Sequence, residues 1–243
     1  MLQQFGPGVW LASDPIRIVG MKLSATMAIV RLDSDALLVF SPVRLTEARF
    51  EAVRALGRVA HIYAPNTYHH TWAAQWAEAF PEACVHGPRA LSNKRKDLRI
   101  DRHHDHDALG ELGRDFEEIH VDGFALEETV LVHKATGTLF VADLVHNIGR
   151  PSHWWTVAYS KAMGFYDRVA ISRMIRLGAF NDRAAARDSI DRLRASSFDR
   201  LVVGHGDPMP EGAHAAIEQA YAWLGSNRAL VPARRRPLHG RCG

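Results

Sequence analysis

His69 and His70 stand side by side within the stretch 61–72, HIYAPNTYHHTW. Adjacent imidazoles fixed by the backbone can hold a divalent metal or carry protons near neutral pH. They can equally cap or pack, and for an isolated pair that is the commoner role. The surrounding elements shift the balance. The apolar run 62–64 reads as a buried strand that Pro65-Asn66 stops, and Trp72, Trp76 and Phe80, four residues apart, give one apolar face to a helix over 71–80. The pair therefore lies at the carboxyl end of a strand, where open α/β sheets place their ligand sites.

Two further signals share that placement. Segments 129–133 and 138–142 flank Lys134-Ala135-Thr136-Gly137 as a hairpin, and Asp143 stands at the exit of the returning strand. A short strand over 200–203 leads into Gly204-His205-Gly206-Asp207. Fourteen histidines are present in all. Three of them lie in Arg102-His103-His104-Asp105-His106-Asp107, which has the residue types of a metal motif. No strand end or helix frames that run, so it is expected to be a solvated loop.

The elements that must position these groups follow from periodicity. Strand-like runs occupy 9–11, 16–19, 25–32 and 36–40, the last two joined across Asp33-Ser34-Asp35. A helix is expected over 46–56, with Thr46 as its cap and Gly57 ending it. Strands at 61 and 83–86 bracket the Trp72 helix, giving β-α-β-α-β order and hence parallel pairing. Strands over 116–121, 129–133 and 138–142 come next, then helices over 167–177, 182–195 and 212–224. The order predicts an α/β protein built as a four-layer αββα sandwich, with residues 1–230 as a single domain.

Composition narrows the classes. With 243 residues and 47% apolar content, the chain can bury a sizeable core. No apolar run approaches a membrane span, and the N-terminus lacks the pattern of a signal peptide, so a cytoplasmic protein with no membrane partner is expected. Cys84 and Cys242 give no disulfide framework. The net charge of +3 is a property of the tail: removing Arg228, Arg234, Arg235, Arg236 and Arg241 from 30 basic residues leaves 25 against 27 acids, about −2 for the body. Residues 231–243 read as a disordered basic tail, and nucleic acid is not an expected partner.

The ordered set of His69-His70, Asp143 in Thr138-Leu139-Phe140-Val141-Ala142-Asp143, and His205 in Val203-Gly204-His205-Gly206 resembles the metallo-β-lactamase superfamily over residues 20–225. The likeness is to a branch in which a PNxxHH pattern replaces the usual HxHxDH motif. Two departures matter. The first two histidines of the usual motif have no counterpart here, and Phe124 stands where the family keeps its third. The resemblance thus implies half of a dinuclear site, with His69, His70, Asp143 and His205 as ligands for one divalent ion, zinc ahead of iron or manganese.

Four bound ligands would close a tetrahedral zinc, whereas catalysis needs an open position. The residues expected to assist are His146 as ligand or proton carrier, Asp207 as orienter of His205, and Tyr68 as oxyanion donor. Each has a blander alternative in packing or capping. The segment holding Trp154, Trp155, Tyr159, Phe165 and Tyr166 reads as an apolar cover for the site, as helix packing, or as a homodimer contact. Two functions remain open: a metal-dependent hydrolase of an ester, lactone, thioester or phosphoester acting on a small molecule with an apolar or aromatic group, and a non-hydrolytic mononuclear iron or zinc protein.

Overall fold

The computed structural model describes residues 1–225, so the basic tail lies outside the described residues. The chain runs through strands β1 (Gln3–Gly6), β2 (Val9–Ile18), β3 (Met21–Arg31) and β4 (Leu37–Phe40), then α1 (Glu47–Leu56), β5 (Val59–Tyr63), α2 (Ala73–Ala79), β6 (Cys84–Gly87), α3 (Arg89–Lys94) and β7 (Arg102–His103). The second half contains β8 (Phe116–His120), β9 (Thr129–His133), β10 (Thr138–Phe140), β11 (His146–Asn147), α4 (Trp154–Met163), β12 (Val169–Ala170), α5 (Arg173–Gly178), α6 (Arg183–Ala195), β13 (Arg200–Val202) and α7 (Ala213–Tyr221).

Among the described residues, β1 to β7 form one sheet in chain order, and β13-β10-β9-β8 form a second. The first is antiparallel up to β4 and parallel from β4 through β7, as the β-α-β-α-β order requires.

The four layers can be read from strand alternation. Ile29, Leu37 and Val39 join Val53 and Trp76 beneath the helices α1 and α2, while their neighbours Val30, Leu38 and Phe40 face the other way, onto Leu131, Phe140 and Val202 of the second sheet. On that second sheet, Val130, Val132, Leu139 and Leu201 turn outward onto Ile190, Leu193 and Ile217 of α6 and α7. The central strands of both sheets are thus buried on both faces, which is why β4, β9 and β10 read as largely apolar runs. Helix α1 is capped as expected: the Thr46 side chain accepts from Arg49 N.

Tertiary pairing altered several expected elements. The runs 9–11 and 16–19 belong to one ten-residue strand, β2, that continues through Pro15. Strand β1 covers only Val9–Leu11 of it, so Pro15 lies where β2 is an edge and no ladder donor is missed. The helix expected over 167–177 is instead the short strand β12, paired with β11, followed by α5 capped by Ser172. The run 102–107 is no solvated loop throughout. Arg102 is buried against Glu118, and His104 is buried with its Nε2 bonded to Ala64 O at 2.9 Å and its ring stacked on Tyr63.

Candidate metal centre

Three loops at strand ends bring His69, Asp143 and His205 together; one ligand atom from each lies within 4.8 Å of the others. The His69 and His205 Nε2 atoms are 3.2 Å apart, and each is 3.5 Å from an Asp143 carboxylate oxygen. These spacings match the edges of a tetrahedron around an ion with bonds of about 2.0–2.2 Å, roughly 3.4 Å.

Each ring is oriented from behind. His205 Nδ1 donates to the Ser24 carbonyl at 2.8 Å, which leaves the neutral ring's Nε2 with its lone pair towards the cluster. His69 Nδ1 shares a 2.8 Å hydrogen bond with Ser41 Oγ, so its Nε2 faces inward too. Burial opposes charging the His69 ring, but the Asp143 carboxylate and then Glu128 outweigh it and raise its pKa. Burial likewise opposes the Asp143 charge, yet His69 and His205 hold it well below the usual carboxylate range. The cluster thus sets a buried carboxylate against two inward-facing imidazole nitrogens, a donor set that fits a divalent cation taking the place of the shared proton.

Beneath it lies a residue that sequence reasoning passed over. Glu128 is fully buried and accepts from the backbone N–H groups of Ala142, Asp143 and Leu144 and from Asn66 Nδ2. Asn66 Nδ2 also donates to Asp143 Oδ2 at 2.9 Å, while its Oδ1 accepts from the N–H groups of Tyr68 and His69. One carboxylate and one amide thus tie the Asp143 loop to the His69 loop. Burial and the nearby Asp143 charge push Glu128 up to about 7, against the Ala142, Asp143 and Asn66 donors that pull it down. The signal was an acid immediately preceding a strand with an apolar centre, Glu128 before Thr129–His133.

The glycines of the GHG segment have a steric reason. A Cβ on Gly204 would stand 2.6 Å from His69 Cε1 and 2.7 Å from Ala142 O, and one on Gly206, at φ +107°, would collide with the Asn147 carbonyl.

The structure does not bring His70 into the cluster. Its Nδ1 accepts from Arg95 at 2.9 Å, and burial with Lys94 and Arg95 lowers its pKa to about 4. Tyr68 is exposed, with Lys94 over its ring. Asp207 is exposed and meets Asn147 through its backbone, its carbonyl accepting from Asn147 Nδ2; the proton of His205 Nδ1 goes to Ser24 instead. His146 does join the site. It is buried, its ring centroid lies 5.8 Å from that of His205, and its Nδ1 has no hydrogen-bond partner among the described residues. Burial, then His205, lowers its pKa to about 4, so the ring is neutral at pH 7.

Asp143, His146 and His205 open onto a cavity of about 90 Å³, otherwise lined by apolar groups such as Met21, Ile148, Phe165 and Ile175. Of the aromatic segment, Tyr159 and Phe165 line this cavity, and Trp155 Nε1 donates to Val19 O on the β2–β3 hairpin.

The chain has the metallo-β-lactamase fold. It superposes on a metallo-beta-lactamase from Pontibacter korlensis with a TM-score of 0.64 at 13% identity, covering 92% of this chain and 98% of the other. A metallo beta lactamase from Hirschia baltica gives 0.57 at 11% identity, over 92% and 96%. A metal-soaked flavodiiron core from Synechocystis sp. gives 0.62 at 14% identity, over 94% of this chain and 62% of that one. No family model matches the sequence, and no curated protein matches it in sequence. No helix among the described residues is long and apolar enough to cross a membrane.

Proposed function

We infer that the chain is a metal-dependent hydrolase that uses one divalent ion, zinc in first place, held by His69, Asp143 and His205. The observation that carries this reading is the ligand count. With His70 turned to Arg95, the cluster offers three protein ligands, the number that leaves a catalytic zinc an open position. A bound ion supplies Lewis-acid activation of water and of the substrate's carbonyl or phosphoryl oxygen.

The chain's own residues do the rest. Ser24 and Ser41 fix the two imidazoles, and Glu128 with Asn66 fixes Asp143. His146 is neutral and lines the same cavity, so its ring is placed to pass a proton from water to the leaving group. The apolar walls take the non-reacting part of the substrate and exclude bulk water, which fits a small molecule with an apolar group on an ester, lactone, thioester or phosphoester.

The test is elemental analysis of untagged protein, with hydrolysis assayed on a panel of those four substrate types. One zinc per chain is expected to be lost in His69→Ala and retained in His70→Ala, with activity following that metal. His146→Gln is expected to keep the metal and lose turnover. Metal lost in His70→Ala, or bound iron without hydrolysis of any panel member, overturns the reading.

A further inference from the structure

A second constellation of ligating side chains lies on the first sheet, sharing no residue with the first. His61 on β5 is the register partner of Cys84 on β6, and His86 follows two residues along the same strand. Register partners and residues two apart point to one face of a sheet, so all three side chains share the face that carries Tyr63. One ligand atom from each lies within 4.8 Å of the others, and His61 Nδ1 is 3.0 Å from His86 Nε2. That separation is within a few tenths of an ångström of the edge expected for two nitrogens around tetrahedral zinc, roughly 3.3 Å.

The local backbone is shaped for this meeting. Strand β5 carries one extra residue: Leu37 pairs with Val59 and Leu38 with His61, which leaves Ala60 unpaired. A bulge of this kind re-aims the side chain that follows it. Without it, His61 would point beneath α1 and α2, where Val59 and Ile62 pack.

Burial is graded in a way that suits a ligand site. His86 is nearly inaccessible and stacks on Tyr63, while His61 and Cys84 are half-buried and leave an approach from solvent. The charges around the group are mixed. Glu111 is the carboxylate acting most strongly on His61, and it also acts on Cys84 together with Asp101. Arg58 acts on His61 and Arg99 on Cys84, and Arg102 touches the group, its Nη1 lying 3.4 Å from His86 Nδ1. That guanidinium is already neutralised by Glu118 and anchored by the Asp107 and Ala108 carbonyls.

We propose that His61, Cys84 and His86 form a second metal site, selective for a thiophilic divalent cation of the zinc type. The bonds formed are His61 Nδ1, His86 Nε2 and the Cys84 thiolate to the ion; the thiol proton is released to solvent, and the His86 proton moves from Nε2 to Nδ1 as the 3.4 Å contact with Arg102 opens. The fourth position is left for water or for the Glu111 carboxylate. One thiolate with two imidazoles sets this site apart from the His-Asp-His cluster, whose donors are nitrogen and oxygen alone. It stands or falls independently of hydrolysis.

Cobalt(II) distinguishes the two sites, because a thiolate ligand adds an intense near-ultraviolet charge-transfer band that nitrogen and oxygen ligands do not. The full-length chain carrying Cys242→Ser is titrated with cobalt(II) alone, and bound metal is counted by equilibrium dialysis. Two cobalt ions per chain are expected, with a charge-transfer band that saturates at one equivalent. Adding Cys84→Ser should abolish the band and lower the count from two to one, with the circular dichroism spectrum unchanged. Adding Asp143→Asn instead should leave the band intact. His61→Asn is the second variant and should weaken the band-forming event at least tenfold. A missing band at saturating cobalt, or a band that survives Cys84→Ser, overturns the proposal.

Discussion

Placing a single methyl group on Gly204 tests how tightly the metal centre is packed. Its Cβ would stand 2.6 Å from His69 Cε1, 2.7 Å from Ala142 O and 3.0 Å from Ala142 Cα. Ordinary contact needs about 3.4 Å or more, so the His69 ring and the backbone leading into Asp143 must each retreat by roughly 0.7 Å. Neither is a free side-chain end: His69 is held by Ser41, and the Asp143 loop by Glu128. Overpacking of this kind costs about 1–3 kcal/mol, which for a chain of this size lowers Tm by roughly 2–12 °C. Because both ligands move, zinc affinity should fall by about 10–100-fold.

The assay is thermal melting by circular dichroism together with competition for zinc against a chromophoric chelator. Gly178→Ala is the control, since nothing lies within 4 Å of its Cβ, and it should melt at or slightly above the wild-type temperature. If Gly204→Ala melts with the wild type and binds zinc equally well, the packing argument for the GHG segment is wrong.

Removing Glu128 should matter without its touching the ion. Glu128→Ala leaves three backbone N–H groups and one of the two Asn66 amide N–H groups without their acceptor, for a loss of about 3 kcal/mol or more and a drop in zinc affinity of about 10–100-fold, read by chemical denaturation and chelator competition. Wild-type affinity in that variant would show that Asp143 is held by other means. His104 supplies a pH dependence. Burial lowers its pKa to about 3, so between pH 6.5 and 3 the unfolded chain binds the proton that the folded chain refuses, and stability falls as pH falls. The contribution at pH 5 is about 2 kcal/mol relative to pH 7. His104→Phe keeps a ring against Tyr63 and should flatten the stability profile between pH 7 and 5 by that amount; an unchanged slope in urea titrations would refute the assignment.

Strand alternation and caps were legible in the sequence because they are local. The apolar runs at 37–40, 130–132 and 139–140 mark strands buried on both faces, and Thr46 and Asp182 mark helix starts through side-chain oxygens that accept from nearby backbone N–H groups. Those patterns, with the placement of His69, Asp143 and His205 at strand exits, determined the layered α/β architecture and three convergent ligands.

What tertiary structure decided is orientation. His69 and His70 are chemically identical neighbours, and nothing in their order says that one faces Asp143 while the other accepts from Arg95, 25 residues away. The same holds for Ser24, which is 181 residues from the His205 ring it fixes, and for Glu128, which reads as an ordinary acid before a strand. His61, Cys84 and His86 meet because of an unpaired Ala60, which no pattern of types reveals. Side-chain direction at a loop or bulge depends on which distant donors and acceptors the fold brings near. The sequence determines the elements, and only their packing determines which atoms meet.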